Sequence, residues 1–201
     1  MCGIVAGVAG RDVVPFFLQG LKRLEYRGYD SCGVAVVRNG EIDRARSVAR
    51  VKDLAEQVHA EGMTGTVGIA HTRWATHGGP IVANAHPHIA GNRIALVHNG
   101  IIENFAQLRA ELEATGVTMQ SQTDTEVLAH LVNFYLEDDL LEALKKALSR
   151  VTGAYAVAVL DKRHPERIVG ARQGSPMVVG LGEGENFIAS DAMALLGDTD
   201  M

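Results

Sequence analysis

Short apolar runs rich in β-branched residues recur along the chain, and this pattern is typical of β-strands. Several of the runs are bounded by Gly, Asn or Asp, which commonly form the turns between strands. The predicted strands are residues 4–8, 34–37, 67–70, 94–97, 155–160, 167–169, 177–179 and 187–189. Segments 161–166 and 180–186 are charged or glycine-rich and lie between predicted strands, so we interpret both as hairpin loops.

Four other segments carry apolar residues at the spacing of a helix face. They begin near Asp12 and Pro15, near Asn104, after Thr123 and near Leu141. Thr123 and Glu126 have the spacing of a capping box, which favours a helix start at that point. The helices cluster in two places and do not alternate one-for-one with strands. We therefore predict an α+β fold, with antiparallel or mixed sheets covered by helices.

The composition is that of one globular domain. The 201 residues are 47% hydrophobic, enough for a substantial core, and we predict a single domain over residues 1–201. A formal charge of −5 with sparse Lys and Arg argues against nucleic acid as a partner. No apolar run approaches the length of a membrane span and the N-terminus lacks a basic leader, so we expect a cytoplasmic protein. Residues 197–201 show neither a helix pattern nor a strand pattern, and we interpret them as a cut within a longer chain.

The two cysteines are too few for a disulfide scaffold, so each needs its own explanation. Cys32 opens a predicted strand and is interpreted as a small buried residue. If Met1 is removed, Cys2 gains a free α-amine with a pKa near ~8, which can accept the thiol proton. The resulting thiolate would be a nucleophile. Position alone also allows Cys2 to be merely a small residue that begins a buried strand.

His98, Asn99 and Gly100 follow one apolar run and precede another. An Asn-Gly pair between apolar runs is a strong hairpin signal, so a turn is the first interpretation. The second interpretation is chemical, because an Asn amide and the next N–H can donate two hydrogen bonds to one oxyanion. A tight turn would hold both donors rigidly, so the two interpretations are compatible.

Residues 71–79 leave a predicted strand and contain the chain's only Trp. Arg73 can grip a carboxylate through its planar fork, Thr76 and His77 can add donors, and the glycines at 78 and 79 would let a lid move. The alternative is that Trp74 anchors a core and Arg73 is solvated. Asp124 can cap a helix or hold an ammonium group, and with Arg73 it would form a clamp for a zwitterionic amino acid.

Histidines 71, 77, 86, 88 and 98 raise the question of a metal site. Neither Cys pairs nor a His-x-x-x-His helix accompany them, and Pro87 interrupts any helix through residues 84–88. We therefore predict no metal.

Residues 26–31 end the first helix, with Gly28 as its terminating glycine.

The ordered motifs resemble one family, the class II glutamine amidotransferases. The segments that carry the resemblance are 1–5, 24–31, 71–78, 84–88, 98–104 and 123–126, with 153–155, 174–176 and 185–191 similar as well. Within this family, the residues of segments 26–30 and 71–78 resemble those of the branch that aminates fructose 6-phosphate. The resemblance implies an N-terminal-nucleophile hydrolase fold, a four-layer αββα sandwich with two antiparallel sheets between helix layers.

The family's roles carry over to the matching positions. They make Cys2 the nucleophile and Asn99 and Gly100 the oxyanion hole. The resemblance implies that Arg73, Thr76 and His77 bind the α-carboxylate of the substrate, and that Asp124 and the Gly100 carbonyl bind its α-amine. It places Trp74 in the lid and implies that Arg27 supports the surroundings of the nucleophile. No cofactor is implied.

The resemblance implies hydrolysis of L-glutamine through a γ-glutamyl thioester, with ammonia passing to a C-terminal sugar-phosphate isomerase domain. That domain is not part of this sequence, and closing strands of the sandwich could lie beyond residue 201. The full-length enzyme is expected to be a homo-oligomer. The alternatives are the glutaminase domain of a phosphoribosyl-pyrophosphate amidotransferase, another N-terminal-nucleophile amidase such as an acylase, and a catalytically silent ligand-sensing domain.

Overall fold

A computed structural model describes residues 2–196, and within them the chain forms ten β-strands and five α-helices. The strands are Gly3–Ala9 (β1), Ser31–Arg38 (β2), Glu41–Ser47 (β3), Val67–Arg73 (β4), His88–Ala90 (β5), Ile94–Ile102 (β6), Gly153–Asp161 (β7), Ile168–Gln173 (β8), Val178–Gly182 (β9) and Glu185–Ala189 (β10). The helices are Val14–Leu24 (α1), Val51–Ala60 (α2), Phe105–Ala114 (α3), Asp124–Tyr135 (α4) and Leu140–Leu148 (α5). The predicted loss of Met1 and the predicted cut at 197–201 lie outside the described residues.

The strands form two antiparallel sheets. One has the order β3-β2-β4-β1-β10-β9, and the other has the order β5-β6-β7-β8. β1 lies in the middle of the first sheet, where it pairs with β4 on one side and β10 on the other. β6 pairs with β5 and β7 in the second sheet. These two sheets confirm the predicted α+β class.

Three apolar clusters hold four layers together. The first, around Phe17 and Leu54, packs α1 and α2 against the outer face of the six-stranded sheet. The second, around Leu128, packs α3, α4 and α5 against the four-stranded sheet. The third lies between the two sheets and includes Ile69 and Leu160. Because strand side chains alternate between faces, each sheet supplies residues to two of these clusters. The order helix, sheet, sheet, helix agrees with the predicted αββα sandwich.

The eight predicted strands occur, and segments 161–166 and 180–186 each contain a hairpin connection between antiparallel strands, but three elements were not predicted. α2 has a readable pattern, since Val51, Leu54 and Val58 are spaced for one helix face and all three are buried. β3 and β5 lack a comparable signal. β3 is mostly exposed or half-buried at the edge of its sheet, and β5 has only three residues.

The hairpin interpretation of Asn99-Gly100 is wrong. β6 continues through both residues to Ile102, and Asn99 and Gly100 pair in register with Ala156 and Tyr155 of β7. The positive φ of Gly100, 129°, is accommodated within the strand and not in a turn. Both residues therefore lie on a sheet that faces the strand following Cys2.

The helix start predicted after Thr123 is confirmed, as the start of α4, with one difference. The Thr123 hydroxyl accepts a hydrogen bond from the Glu126 N–H, as an N-cap should. The Glu126 carboxylate, however, accepts from the N–H groups of Gln120 and Ser121 and not from Thr123. Glu126 thus fixes the loop that leads into α4. No α-helix within residues 2–196 is long and apolar enough to cross a bilayer.

Candidate active site

Cys2 lies directly before β1 and is partly buried. The Trp74 N–H donates to Cys2 Sγ at 3.3 Å, and the thiol donates weakly to the Trp74 carbonyl at 3.6 Å. Burial raises the pKa of the Cys2 thiol, partly offset by the Trp74 N–H and by the charge of Arg73. The thiol is therefore protonated near neutral pH, and nucleophilic attack requires a base that removes its proton.

Asn99 and Gly100 reach Cys2 from the other sheet. Asn99 Nδ2 donates to the Cys2 carbonyl at 2.9 Å, and both residues line a cavity of about 270 Å³ together with Cys2 and Trp74. An amide nitrogen carries two hydrogens, so a second Asn99 N–H is available to a ligand at this position. The two predicted oxyanion donors and the predicted nucleophile are thus brought together across the sandwich.

Arg73 ends β4 and is only 3% exposed, whereas Trp74 is 50% exposed. The interpretation of Trp74 as a core anchor and Arg73 as a solvated side chain is therefore wrong. The Arg73 guanidinium donates to the carbonyls of residues 77, 78 and 79, and it lies 3.9 Å from the carboxylate of Asp30. A buried guanidinium needs such partners, and these hold the 74–79 loop against the site.

The other predicted clamp residues lie beside Arg73. Asp124, at the first position of α4, accepts from the Ile102 N–H at 2.9 Å and lies 3.9 Å from His77 Nδ1. The His77 ring packs edge-on against Phe105. Asp124, His77 and Thr76 line a cavity of about 10 Å³, which has room for about one water molecule. The cavity between Arg73 and Asp124 is therefore too small to hold an amino acid in this conformation.

Arg27 supports the start of β1 indirectly. Its guanidinium is buried and contacts the Asp191 carboxylate at 3.0 Å and the Ser190 carbonyl at 3.4 Å. Ser190 in turn is bonded to β1, because its hydroxyl accepts from the Ile4 N–H and its own N–H donates to the Ile4 carbonyl. Arg27 also lines the cavity beside Cys2.

Two further residues of the site were given no role in it by the sequence analysis. Asp30 receives the Ala75 N–H and so ties the 74–79 loop to β2. His71 on β4 is fully buried and lies 3.0 Å from Asn99 Oδ1. Neither has a local sequence signal for these contacts, because the partners are distant in the chain. Within residues 2–196, no group of three or more His, Cys, Asp or Glu side chains is placed to hold a metal ion.

A larger cavity of about 360 Å³ opens between β1, β8 and β10. Its lining includes Phe187 and Ile188 but neither Cys2 nor any residue of the predicted clamp. Size alone would favour this cavity as a ligand site, but the chemistry of the lining residues favours the two smaller cavities beside Cys2. There a thiol, the two predicted oxyanion donors and two opposite charges converge.

Comparison with known proteins gives one consistent family. A family described as a glutamine amidotransferase domain matches residues 71–197. The isomerizing glutamine–fructose-6-phosphate aminotransferase of Bordetella pertussis is 60% identical over 205 aligned residues, which cover 100% of this chain and 34% of that protein. The enzyme of the same name from Haemophilus influenzae is 56% identical, and the alignment covers 99% of this chain and 33% of that protein. The chain therefore spans about a third of the length of these curated relatives.

Solved structures give the same fold. A glutamine phosphoribosylpyrophosphate amidotransferase from B. subtilis, complexed with ADP and GMP, superposes with a TM-score of 0.85 at 25% identity. The superposition covers 96% of this chain and 43% of that protein. A structure described as the allosteric regulatory enzyme of purine biosynthesis gives a TM-score of 0.84 at 28% identity, again over 96% of this chain and 43% of the other.

Proposed function

This chain belongs to the glutamine amidotransferase domain family, and on that basis we propose that it hydrolyses the side-chain amide of L-glutamine to glutamate and ammonia, with Cys2 as nucleophile. The observation that carries the proposal is the 2.9 Å contact from Asn99 Nδ2 to the Cys2 carbonyl. This contact brings a hydrogen-bond donor of one sheet to the nucleophile of the other. We assign the whole of residues 1–201 to this glutaminase domain.

The proposed reaction begins when the α-amine of Cys2, free after loss of Met1, accepts the thiol proton. The thiolate attacks the amide carbon, and the developing oxyanion accepts hydrogen bonds from Asn99 Nδ2 and the Gly100 N–H. The C–N bond then breaks, and the ammonium of Cys2 returns the proton to the departing nitrogen, so that ammonia leaves. Water attacks the γ-glutamyl thioester, releasing glutamate and restoring the thiol.

The substrate's α-amino acid end is assigned to the residues around the small cavity. Arg73, Thr76 and His77 would bind its α-carboxylate, and Asp124 with the Gly100 carbonyl would bind its α-amine. Trp74 would close over the site as part of the lid. The Arg73 guanidinium donates to three loop carbonyls, and the carboxylate would take its remaining N–H donors or replace one of these carbonyls.

In the longer protein, the ammonia would pass to a C-terminal sugar-phosphate isomerase domain and aminate fructose 6-phosphate. The 60% identity to an aminotransferase of that specificity, against 25% to the phosphoribosylpyrophosphate amidotransferase, favours this acceptor. A homo-oligomeric, cytoplasmic full-length enzyme fits the same proposal. An acylase is disfavoured because Arg73 and Asp124 would face an apolar acyl group. A silent ligand-sensing domain would not need hydrogen-bond donors beside a thiol.

The decisive experiment is covalent labelling with an electrophilic glutamine analogue, followed by peptide mass spectrometry. We expect labelling at Cys2, loss of labelling in Cys2→Ser, and full labelling in Cys32→Ser. Cys32 is the matched control, because it is buried and burial raises the pKa of its thiol to about 12. Labelling at Cys32, or at neither cysteine, would overturn the proposal. Retention of Met1 in folded, active protein would remove the assigned base.

A further inference from the structure

We propose that His71 is a positioning residue that orients the Asn99 side chain toward the nucleophile. The inference deepens the proposed function and rests on it, because Asn99 matters only if an oxyanion forms beside Cys2. Nothing in the sequence motifs assigns this task to His71. Its support comes from contacts between β4 of one sheet and β6 of the other.

The first step concerns the tautomer of His71. Its Nε2 lies 3.1 Å from the backbone carbonyl oxygen of His98 and 3.0 Å from Asn99 Oδ1. A backbone carbonyl can only accept a hydrogen bond, so Nε2 must carry the proton. Nδ1 has no hydrogen-bond partner among the described residues, as expected for the bare nitrogen of a neutral ring.

The second step concerns the orientation of the Asn99 amide. An Nε2–H that donates to the His98 carbonyl cannot also accept from an amide NH₂, so the Asn99 atom facing it must be the oxygen. The Asn99 nitrogen is thereby turned the other way, toward the Cys2 carbonyl at 2.9 Å. With one N–H bonded there, the second remains for an oxyanion. The His98 carbonyl thus determines the tautomer of His71, and this tautomer determines the orientation of the Asn99 amide.

The third step concerns rigidity. The His71 ring is fully buried and stacks on His86, with 3.9 Å between ring centroids and 18° between ring planes. His86 Nδ1 accepts from the His98 N–H at 3.4 Å, so the second ring is attached to the same strand. Burial lowers the pKa of His71 to about 3, which keeps its ring neutral over the physiological range. The ring therefore acts as a fixed donor and not as an acid or base.

A double-mutant cycle tests the coupling. Removing an oxyanion donor costs about 10²–10³-fold in kcat, and His71→Leu, which leaves the Asn99 amide free to turn, should cost about 10–100-fold. In the Asn99→Ala background the same change should cost less than about 2-fold, because there is no amide left to orient. Equal losses in both backgrounds would overturn the proposal. The KM for glutamine should change little, since His71 does not touch the clamp.

Two further measurements separate positioning from folding. His71→Gln presents an amide N–H near the position of Nε2–H, and it should recover most of the kcat lost in His71→Leu. In the unsubstituted protein, nitrogen NMR of labelled histidine should show the Nε2–H tautomer of His71 from pH 5 to 8. A cation or an Nδ1–H tautomer would overturn the proposal even if no variant folds. Failure of the proposed function itself would be distinct, since the unsubstituted protein would then hydrolyse no glutamine.

Discussion

At the residue scale, Arg73 shows how burial changes the meaning of a motif residue. Its charge lies inside the protein, where it bonds loop carbonyls and lies near Asp30 and Cys2. A buried guanidinium is costly unless it is paired and hydrogen-bonded. A ligand carboxylate would offer Arg73 a charged partner in place of neutral carbonyls. The same side chain would then both hold the loop and recognise the substrate.

Replacing Arg73 with Lys should therefore weaken glutamine binding more than it slows chemistry. Lysine keeps the charge but loses the planar fork, and we expect the KM for glutamine to rise by about 10-fold or more, with a smaller fall in kcat. Steady-state glutaminase kinetics measure both. Arg109→Lys is the matched control, because Arg109 is part of a surface i,i+4 pair with Glu113. An unchanged KM in Arg73→Lys would contradict the clamp.

At the scale of elements, β6 serves as both a central strand of its sheet and a wall of the site. Gly100 has a φ of 129°, and a Cβ there would lie 2.0 Å from the Ala154 carbonyl oxygen on β7. Only glycine allows the strand to adopt this conformation and to keep its pairing. The backbone that would stabilise an oxyanion is thus shaped by the fit between two strands.

Gly100→Ala should consequently lower both stability and activity. We expect a loss of several kcal/mol in the free energy of unfolding, since φ strain and a backbone clash both act. Gly116→Ala is the matched control: its φ is 94°, but its Cβ would meet no atom within 4 Å. Strain alone should cost about 1–2 kcal/mol there. Denaturant unfolding and glutaminase assays compare the two, and similar losses would contradict the role of the β7 contact.

At the scale of the whole molecule, the sandwich buries four histidines beside the site. They are His71, His86, His88 and His98. Burial lowers the pKa of all four, to about 3 for His71 and His88. The folded protein therefore excludes protons that the unfolded chain binds below pH ~6.5. Stability contributed by these neutral rings is complete above that pH and decreases as the pH falls from about 6.5 toward 3.

The free energy of unfolding should accordingly fall by several kcal/mol between pH 7 and pH 5. Each excluded proton contributes about 1.4 kcal/mol per pH unit in this window. Urea unfolding at successive pH values measures the slope, with an unchanged m-value as evidence that the same transition is followed. A flat profile would show that these four histidines are not buried in neutral form.

The sequence by itself determined the α+β class, eight of the ten strands and four of the five helices, because apolar periodicity reports which face of an element is buried. It also singled out Cys2, Arg73, Asn99 and Asp124, whose chemistry is local to each residue. It did not reveal that β6 continues through Asn99 and Gly100, since a local Asn-Gly signal gave way to pairing with β7. The contact of His71 with Asn99 and that of Asn99 with Cys2 were likewise decided only by the tertiary structure. Both cross between the two sheets, and no local pattern in the chain encodes which faces of distant strands will meet.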